Sequence, residues 1–124
     1  MGKQPEQKNF KLKKKFRLCK NRNFQTVYNR GRSYANKMLV LYVLPNRTGN
    51  VRVGFAAGKR LGGAVVRNRV KRLLREAYRF NQERIKSAVD LVLVGRQAML
   101  KADLQAAVKA LLDLFNKAGL IEQS

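Results

Sequence analysis

Histidine and tryptophan are absent from this sequence, and cysteine occurs once, as Cys19. Without histidine there is no imidazole to act as a general base or to complete the usual zinc ligand sets. A single cysteine cannot form a disulfide within the chain, and a redox site would need a second thiol. The sequence also has no closely spaced pair of carboxylates for a two-metal nuclease centre. These absences favour a binding protein over one whose own side chains perform catalysis.

Acidic residues are scarce, with seven Asp and Glu against 28 Lys and Arg and a net charge of +21. None occurs between Glu6 and Glu76, an interval that holds 20 of the cations. Such a chain repels itself, and binding to a polyanion would relieve the repulsion. This charge favours nucleic acid first and an anionic membrane surface second. Charge kept only for solubility is a further alternative, although soluble surfaces ordinarily mix both signs.

Long hydrophobic runs are also missing. No apolar stretch reaches the roughly 18 residues that a membrane-spanning helix needs, and the basic N-terminus is not followed by the hydrophobic segment of a secretory signal. We therefore expect a cytoplasmic protein. We expect a flexible basic arm over residues 1–17, one RNA-binding α/β domain over residues 18–119 and a short tail over residues 120–124.

Apolar spacing and turn residues predict the element order αβββαβα, in which the β directly before the second helix is either a strand or a loop. A first helix begins at Asn21 or Asn23 as its cap and ends at Gly31. The remaining predicted elements are a hairpin of Met38–Leu44 and Val51–Gly58 around the loop PNRTGN, a helix over Ala64–Ile85, a strand over Val89–Gly95, and a helix from Asp103 to Gly119. This order predicts an α/β (α+β) fold, a two-layer sandwich with helices against one face of a small mixed sheet.

The segment GKRLGGAVVRNRVKRLLREAYR, residues 59–79 with the preceding glycine, carries eight Lys and Arg. At 100° per residue the predicted core stripe is Val66, Val70, Leu73, Leu74, Ala77 and Phe80. The opposite side collects Asn68, Lys71, Arg72, Arg75 and Arg79, with Arg67 and Arg69 at the edges of the stripe. Like charges four residues apart on a helix destabilise it by a few tenths of a kcal/mol per pair. Glu76, the first acidic residue, can pair with Arg72, so few of these charges are neutralised within the helix. Because the arginine fork suits phosphate oxygens, we interpret this face as a nucleic-acid contact, with a merely solvated face as the alternative.

Four aromatic residues of the acid-free region lie around the first predicted helix and the first predicted strand: Phe24, Tyr28, Tyr34 and Tyr42. Aromatic rings beside cations form stacking platforms for unpaired bases, which favours single-stranded RNA over a duplex. Core packing is the alternative, and for Phe24 taken alone it is the preferred one.

The same segment closely resembles the signature of the bacterial ribonuclease P protein subunit, in which the triplet Arg67-Asn68-Arg69 opens a basic helix. The resemblance continues upstream through NFQTVYNRGRSYANKMLVLYVL and covers about residues 16–117. It implies a left-handed β-α-β crossover formed by the basic helix. It also implies a ribonucleoprotein endoribonuclease that removes the 5′ leader of precursor tRNA. In that family a catalytic RNA subunit performs the hydrolysis with Mg²⁺ held mainly by RNA, so the resemblance implies no catalytic residue in the protein.

The resemblance further implies two binding regions. A cleft between the first helix and the sheet would hold the leader, through Phe24, Tyr28, Val40 and Tyr42. A second region would face the ribonuclease P RNA and the phosphates near the cleavage point, through Lys59, Arg60, Arg67, Asn68, Arg69, Lys71, Arg72 and Arg75. The expected partners are thus the ribonuclease P RNA and precursor tRNA, with no DNA and no membrane, and protein-bound metal is left open. The alternatives are a ribosomal protein or RNA chaperone, which composition fits equally well, and a membrane-surface protein, which would need exposed bulky apolar residues.

Overall fold

A computed structural model of the chain describes residues 16–18 and 20–121. The described part contains three α-helices and one four-stranded sheet, in the order αβββαβα. The third strand before the second helix is Arg32–Ala35, which precedes the two predicted strands and does not follow them as predicted. The elements are α1 (Asn21–Arg30), β1 (Arg32–Ala35), β2 (Leu39–Pro45), β3 (Arg52–Ala57), α2 (Ala64–Arg79), β4 (Val89–Gly95) and α3 (Leu104–Lys117). Short 3₁₀ turns lie at Lys59–Leu61, Gln82–Arg84 and Gln97–Lys101. The predicted flexible arm stays a prediction, because most of it lies outside the described residues, as do residues 122–124 of the predicted tail.

The sheet has the strand order β1-β2-β4-β3, with β3 parallel to β4 and the other pairs antiparallel. The predicted hairpin between β2 and β3 is therefore wrong, since β2 pairs with β1 and β4 lies between β2 and β3. The physical reason is burial, because β4 is apolar on both faces and gains most from a central position. The helix α2 joins the parallel neighbours β3 and β4 as a β-α-β crossover. The implied left-handedness of that crossover stays a prediction.

Helices cover both faces of the sheet. One face carries the main core, in which Leu39, Leu41, Leu91 and Leu93 are fully buried against α2 and α3. The alternate residues of the strands face the other way, where Val92 packs with Leu18 of the N-terminal segment and Val27 of α1. The expectation that all helices share one face is thus wrong for α1. The nearly continuous apolar run of β4 required this outcome, because both of its faces need cover.

The loop between β2 and β3 crosses the end of β4 and is anchored there by a buried carboxylate. Asp90 is 5% exposed and accepts hydrogen bonds from Arg52 Nε at 2.8 Å, from Arg52 Nη2 at 2.6 Å and from Asn46 Nδ2 at 2.7 Å. The hydrogen bond to Asp90 raises the pKa of the Arg52 guanidinium above its usual value. This network ties together three strands at the end of the sheet.

The helix α1 begins and ends differently from its prediction. Its N-cap is Lys20, and no side chain caps it, so neither asparagine has the predicted capping role. Gly31 follows the last turn as predicted, but its φ of −82° is not left-handed. A Cβ at this position would lie 2.7 Å from the carbonyl oxygen of Val27 and 2.8 Å from that of Val43. Glycine is needed here because two backbones approach each other closely.

The basic helix α2 ends at Arg79, six residues before the predicted Ile85. Tyr78 is buried, whereas Phe80, which the predicted core stripe included, is 57% exposed. The buried residues in the last turn of α2 are thus Ala77 and Tyr78. The chain then leaves the helix through a 3₁₀ turn to reach β4. Glu76 pairs with Arg79 at 3.2 Å and not with Arg72 as predicted.

The predicted limits of the last helix are confirmed. Asp103 caps α3, its carboxylate accepting a hydrogen bond from the Ala106 N–H at 2.9 Å. Gly119 follows the helix with a φ of +72°, the left-handed conformation that favours glycine. Beyond it, Leu120 and Ile121 are buried in the main core, so the folded domain reaches at least residue 121. None of the helices described is long and apolar enough to cross a membrane.

Candidate nucleic-acid interface

The four residues predicted to form a cleft lie on one side of the sheet, between it and α1, and we call this surface the aromatic cleft. Phe24 and Tyr28 are one helical turn apart, and Val40 and Tyr42 are alternate residues of β2, so each pair shares a face. The rings of Tyr28 and Tyr42 meet edge to face with centroids 4.9 Å apart, and those of Phe24 and Tyr28 are 6.4 Å apart. All four side chains are half-buried. The structure therefore brings together three adjoining aromatic rings with part of their surface open to solvent.

A glycine of β3 seats the first ring of the cleft. A Cβ at Gly54 would lie 2.4 Å from Cζ of Phe24, so the ring packs directly on the β3 backbone. The interpretation of Phe24 as a core residue is therefore correct only in part. Its ring packs on the sheet, but the side chain is half-buried and keeps some exposed surface. Sequence reasoning missed the role of Gly54, because only the tertiary fold sets β3 beneath α1.

Tyr28 and Tyr34 have different surroundings. Burial, with a smaller contribution from Tyr42, raises the pKa of the Tyr28 phenol, which stays a neutral hydroxyl at physiological pH. Tyr34 pairs with Leu41 and packs against the main core on the opposite face of the sheet. The prediction that Tyr34 joins the stacking group is therefore wrong. Leu41, the partner of Tyr34, is one residue before Tyr42 on β2, and successive residues of a strand point to opposite faces of the sheet.

The floor of the aromatic cleft leads to a cationic end of the sheet. Val40 pairs with Val94, which pairs with Ala56, and all three are half-buried on the side of the cleft. One residue further, β3 and β4 end together, and the exposed cations Lys59, Arg60 and Arg96 follow. Arg96 also donates to the Asn36 carbonyl at 2.9 Å. Sequence reasoning did not select Arg96, because only strand pairing brings its turn to the turn before α2.

The second predicted region, the turn and N-terminal three turns of α2, forms what we call the basic surface. It consists of Lys59, Arg60, Arg67, Asn68, Arg69, Lys71, Arg72 and Arg75. Six of the eight are exposed, and Arg67 and Lys71 are half-buried. The ion pairs among the described residues join Arg52 to Asp90, Arg79 to Glu76 and Lys117 to Asp113. No cation of the basic surface has a carboxylate partner within the described part of the chain.

Glycines fix the position of the basic surface on the domain. A Cβ at Gly95 would lie 2.4 Å from Cγ1 of Val70, so β4 and α2 are in close contact at this point. Gly62, with a φ of +142°, turns the chain into the helix, and Gly63 is an N-cap without a side-chain hydrogen bond. The first amides of α2 therefore have no capping side chain, a geometry that suits an anion.

Two arginines of the basic surface have contacts that the helical pattern did not predict. The guanidinium carbon of Arg75 lies 5.5 Å from the ring centroid of Phe55 on the edge strand β3, a cation–π contact. Nε of Arg67 is buried without a hydrogen-bond partner among the described residues. The side chain of Arg67 is thus held against the protein while its donor capacity is incompletely used.

The chemistry available here is binding. Positive charge without internal partners attracts phosphate, and open aromatic rings attract bases. Within residues 16–18 and 20–121, no three His, Cys, Asp or Glu side chains group so as to hold a metal ion.

Comparison with known proteins identifies the family. The profile of the family described as Ribonuclease P matches residues 12–119. This chain belongs to the ribonuclease P protein family. The ribonuclease P protein component of Clostridium perfringens strain 13 is 47% identical over 111 residues, which are 83% of this chain and 88% of that relative. The ribonuclease P protein component of Clostridium botulinum strain Langeland is 43% identical over 108 residues, 86% of this chain and 97% of the relative.

Solved structures of ribonuclease P proteins share the fold. The protein from Staphylococcus aureus matches with a TM-score of 0.77 and 30% identity, over 86% of this chain and 98% of that one. The protein from Thermotoga maritima matches with a TM-score of 0.74 and 28% identity over the same shares. The α+β class is thereby confirmed. The chain is the protein subunit of ribonuclease P, the ribonucleoprotein endoribonuclease of tRNA 5′ maturation, and the family match decides against the alternative of a ribosomal protein or RNA chaperone.

Proposed function

We propose that the two surfaces divide the work of the ribonuclease P protein. The basic surface binds the catalytic RNA subunit, and the aromatic cleft holds the 5′ leader of precursor tRNA. The observation that carries the proposal is the set of seven Lys and Arg on the basic surface without a described ion-pair partner, beside a cleft of three adjoining half-buried aromatic rings.

Binding at the basic surface is driven by phosphate contacts. Each Lys or Arg that neutralises a phosphate releases a condensed counterion, so affinity falls steeply as salt rises. The unpartnered cations supply this energy without first breaking an internal ion pair. The uncapped amides at Gly63 and Ala64 add donors for one phosphate where α2 begins. The buried Nε of Arg67 gains a partner if an RNA oxygen reaches it.

Binding in the aromatic cleft is driven by stacking. A leader is unpaired, so its bases are free to lie against Tyr42 and Tyr28 with little dependence on sequence. The half-buried floor of Val40, Val94 and Ala56 continues the contact toward Lys59 and Arg60, where the leader phosphates meet positive charge. A leader lying along this path connects the two surfaces.

Catalysis belongs to the RNA in this proposal. The chain has no histidine, and its described carboxylates form no metal-binding group. We therefore assign Mg²⁺ mainly to RNA ligands, and assign substrate binding and orientation to the protein. We further propose that the protein acts in the cytoplasm on RNA and not on DNA or a membrane. Competition of labelled precursor tRNA by unlabelled duplex DNA at matched phosphate concentration tests the choice of RNA over DNA.

A tyrosine pair on opposite faces of the sheet tests the aromatic cleft. Tyr42→Ala is expected to weaken binding of leader-bearing precursor tRNA by about 1–3 kcal/mol, because one stacked base is lost. Binding of mature tRNA to the reconstituted holoenzyme is expected to stay unchanged. Tyr34→Ala, which alters a half-buried tyrosine of the opposite face, serves as the control. Equal losses for precursor and mature tRNA, or equal losses for the two variants, would remove the leader from this cleft.

Two cations test the basic surface, one without an ion-pair partner among the described residues and one with such a partner. Arg72→Ala is expected to reduce the slope of log affinity against log salt by about one, the value for one lost phosphate contact. Lys117→Ala, on α3 and paired with Asp113 at 3.7 Å, is expected to leave that slope unchanged. The measurement is binding of the protein to the ribonuclease P RNA over a salt series. A slope that Arg72→Ala does not move would contradict the assignment of Arg72 to a phosphate.

A further inference from the structure

The end of α2 carries an aromatic side chain that neither surface uses. Phe80 is 57% exposed, and among the described residues only Val65 is another large apolar side chain of comparable exposure. The guanidinium carbon of Arg79 lies 5.1 Å from the Phe80 ring centroid. Glu76 holds the same guanidinium through a 3.2 Å ion pair. The result is an exposed aromatic ring with an arginine fixed beside it.

Phe80 stands at the edge of an apolar groove between the end of α2 and the outer side of α3. Leu104, Val108 and Leu112 recur at intervals of four residues on α3 and line the groove, whose volume is about 460 Å³. All three are half-buried, so the groove stays open. An exposed ring that continues into an apolar groove is a contiguous binding feature and not an isolated surface residue.

The polar side chains of the groove indicate what it accepts. Gln105 and Lys109 line it together with the apolar residues. An amide can pair with the edge of a base, an ammonium group attracts a phosphate, and the Phe80 ring offers a stacking face. These are the three kinds of contact that one unpaired nucleotide makes. A second copy of this chain fits poorly, because each carries a net charge of +21 and would bring Lys109 and Arg79 to like charges.

We infer that Phe80, Arg79, Gln105 and Lys109 form a second site for an unpaired RNA nucleotide, separate from the aromatic cleft. Phe80 stacks on the base from one side while Lys109 contacts its phosphate. The carboxylate of Glu76 keeps Arg79 beside the ring. The site lies past the last turn of the helix that presents the basic surface, so one RNA chain bound along α2 can reach it. Its occupant is an exposed base of the RNA partner.

The absence of tryptophan makes the site directly observable. Phe80→Trp places the only indole of the full-length chain at the site, and stacking of a base quenches indole emission. Single-stranded oligoadenylate is expected to quench the fluorescence of Phe80→Trp in a saturable manner. Lys117→Trp, with an indole at an exposed position on α3, is expected to remain unquenched. A duplex RNA of the same length, whose bases are paired, is expected to bind without quenching Phe80→Trp.

Loss-of-function variants complete the test. Phe80→Ala and Phe80→Leu are both expected to weaken binding of the ribonuclease P RNA about 5- to 150-fold, the fold-change for one stacked base, whereas Phe80→Trp retains affinity. The proposal is overturned if oligoadenylate binds by anisotropy without quenching, or if duplex RNA quenches equally. It is also overturned if Phe80→Leu binds the RNA like the wild type. Quenching of Phe80→Trp by an acidic peptide in place of RNA, or by self-association of the protein, would overturn it as well. Tyr42→Ala tests the aromatic cleft independently, so either proposal can fail alone.

Discussion

The seat of Phe24 on β3 gives a sharp test of how the aromatic cleft is built. Gly54 is buried in β3, and a Cβ added to it would lie 2.4 Å from Cζ and 2.7 Å from Cε2 of Phe24. The three nearest atoms all belong to that ring, and the φ of Gly54 is not positive. The backbone therefore accepts alanine, and the nearest obstacle to Gly54→Ala is the aromatic side chain.

The size of the effect follows from that distance. Carbon atoms in contact ordinarily lie about 3.5–4.0 Å apart, so the ring must retreat by roughly 1 Å or more. Overpacking of this kind costs about 1–3 kcal/mol. Replacing glycine also reduces the entropy of the unfolded chain, which returns about 0.4–1 kcal/mol. We expect Gly54→Ala to lower the free energy of unfolding by about 1–2 kcal/mol.

A double-mutant cycle separates the ring contact from any other effect of the alanine. In the Phe24→Ala background the obstacle is gone, and Gly54→Ala is expected to be neutral or to stabilise by up to about 1 kcal/mol. Urea denaturation of the four proteins gives the coupling energy, expected at about 1–3 kcal/mol. Gly54→Ala alone is also expected to weaken precursor tRNA binding, because the displaced ring disturbs the cleft. Equal destabilisation by Gly54→Ala in both backgrounds would refute the reasoning.

Three further predictions concern stability. Asp90→Ala leaves the Arg52 guanidinium without its carboxylate and is expected to lower the free energy of unfolding by about 3 kcal/mol. Asp113→Ala breaks an exposed ion pair and is expected to lower it by under about 0.5 kcal/mol. Similar losses for the two variants in urea denaturation would contradict this difference. Burial raises the pKa of Tyr78 above its value in the unfolded chain, so stability that is complete below about pH 10 is lost as pH rises further, by up to about 1.4 kcal/mol per pH unit. Tyr78→Phe is expected to remove that part of the alkaline loss, and parallel stability curves for wild type and variant would disprove it. Asp103→Ala removes the cap of α3 and is expected to cost about 1 kcal/mol, and an unchanged urea midpoint would show that the cap contributes nothing.

Local signals predicted the elements whose ends are set by neighbouring residues. The helix α3 begins after Asp103 and ends before Gly119, as predicted, because a cap and a left-handed glycine act within one turn of the helix. The strand over Val89–Gly95 was likewise readable from its apolar run. The end of α2 was not, since the pattern continued to Phe80 and Ile85 while the fold buries Tyr78 and turns the chain toward β4.

Charge and the motif around the triplet Arg67-Asn68-Arg69 were enough to predict that this chain binds RNA and which family it resembles, because net charge and a contiguous motif do not depend on how the chain folds. Only the tertiary structure decided which strands are neighbours, that α1 covers the second face of the sheet, and that Tyr34 lies away from Tyr42. The physical reason is that strand order and side-chain phase depend on contacts between residues far apart in sequence, such as Gly54 with Phe24 and Gly95 with Val70. No local pattern records those distances.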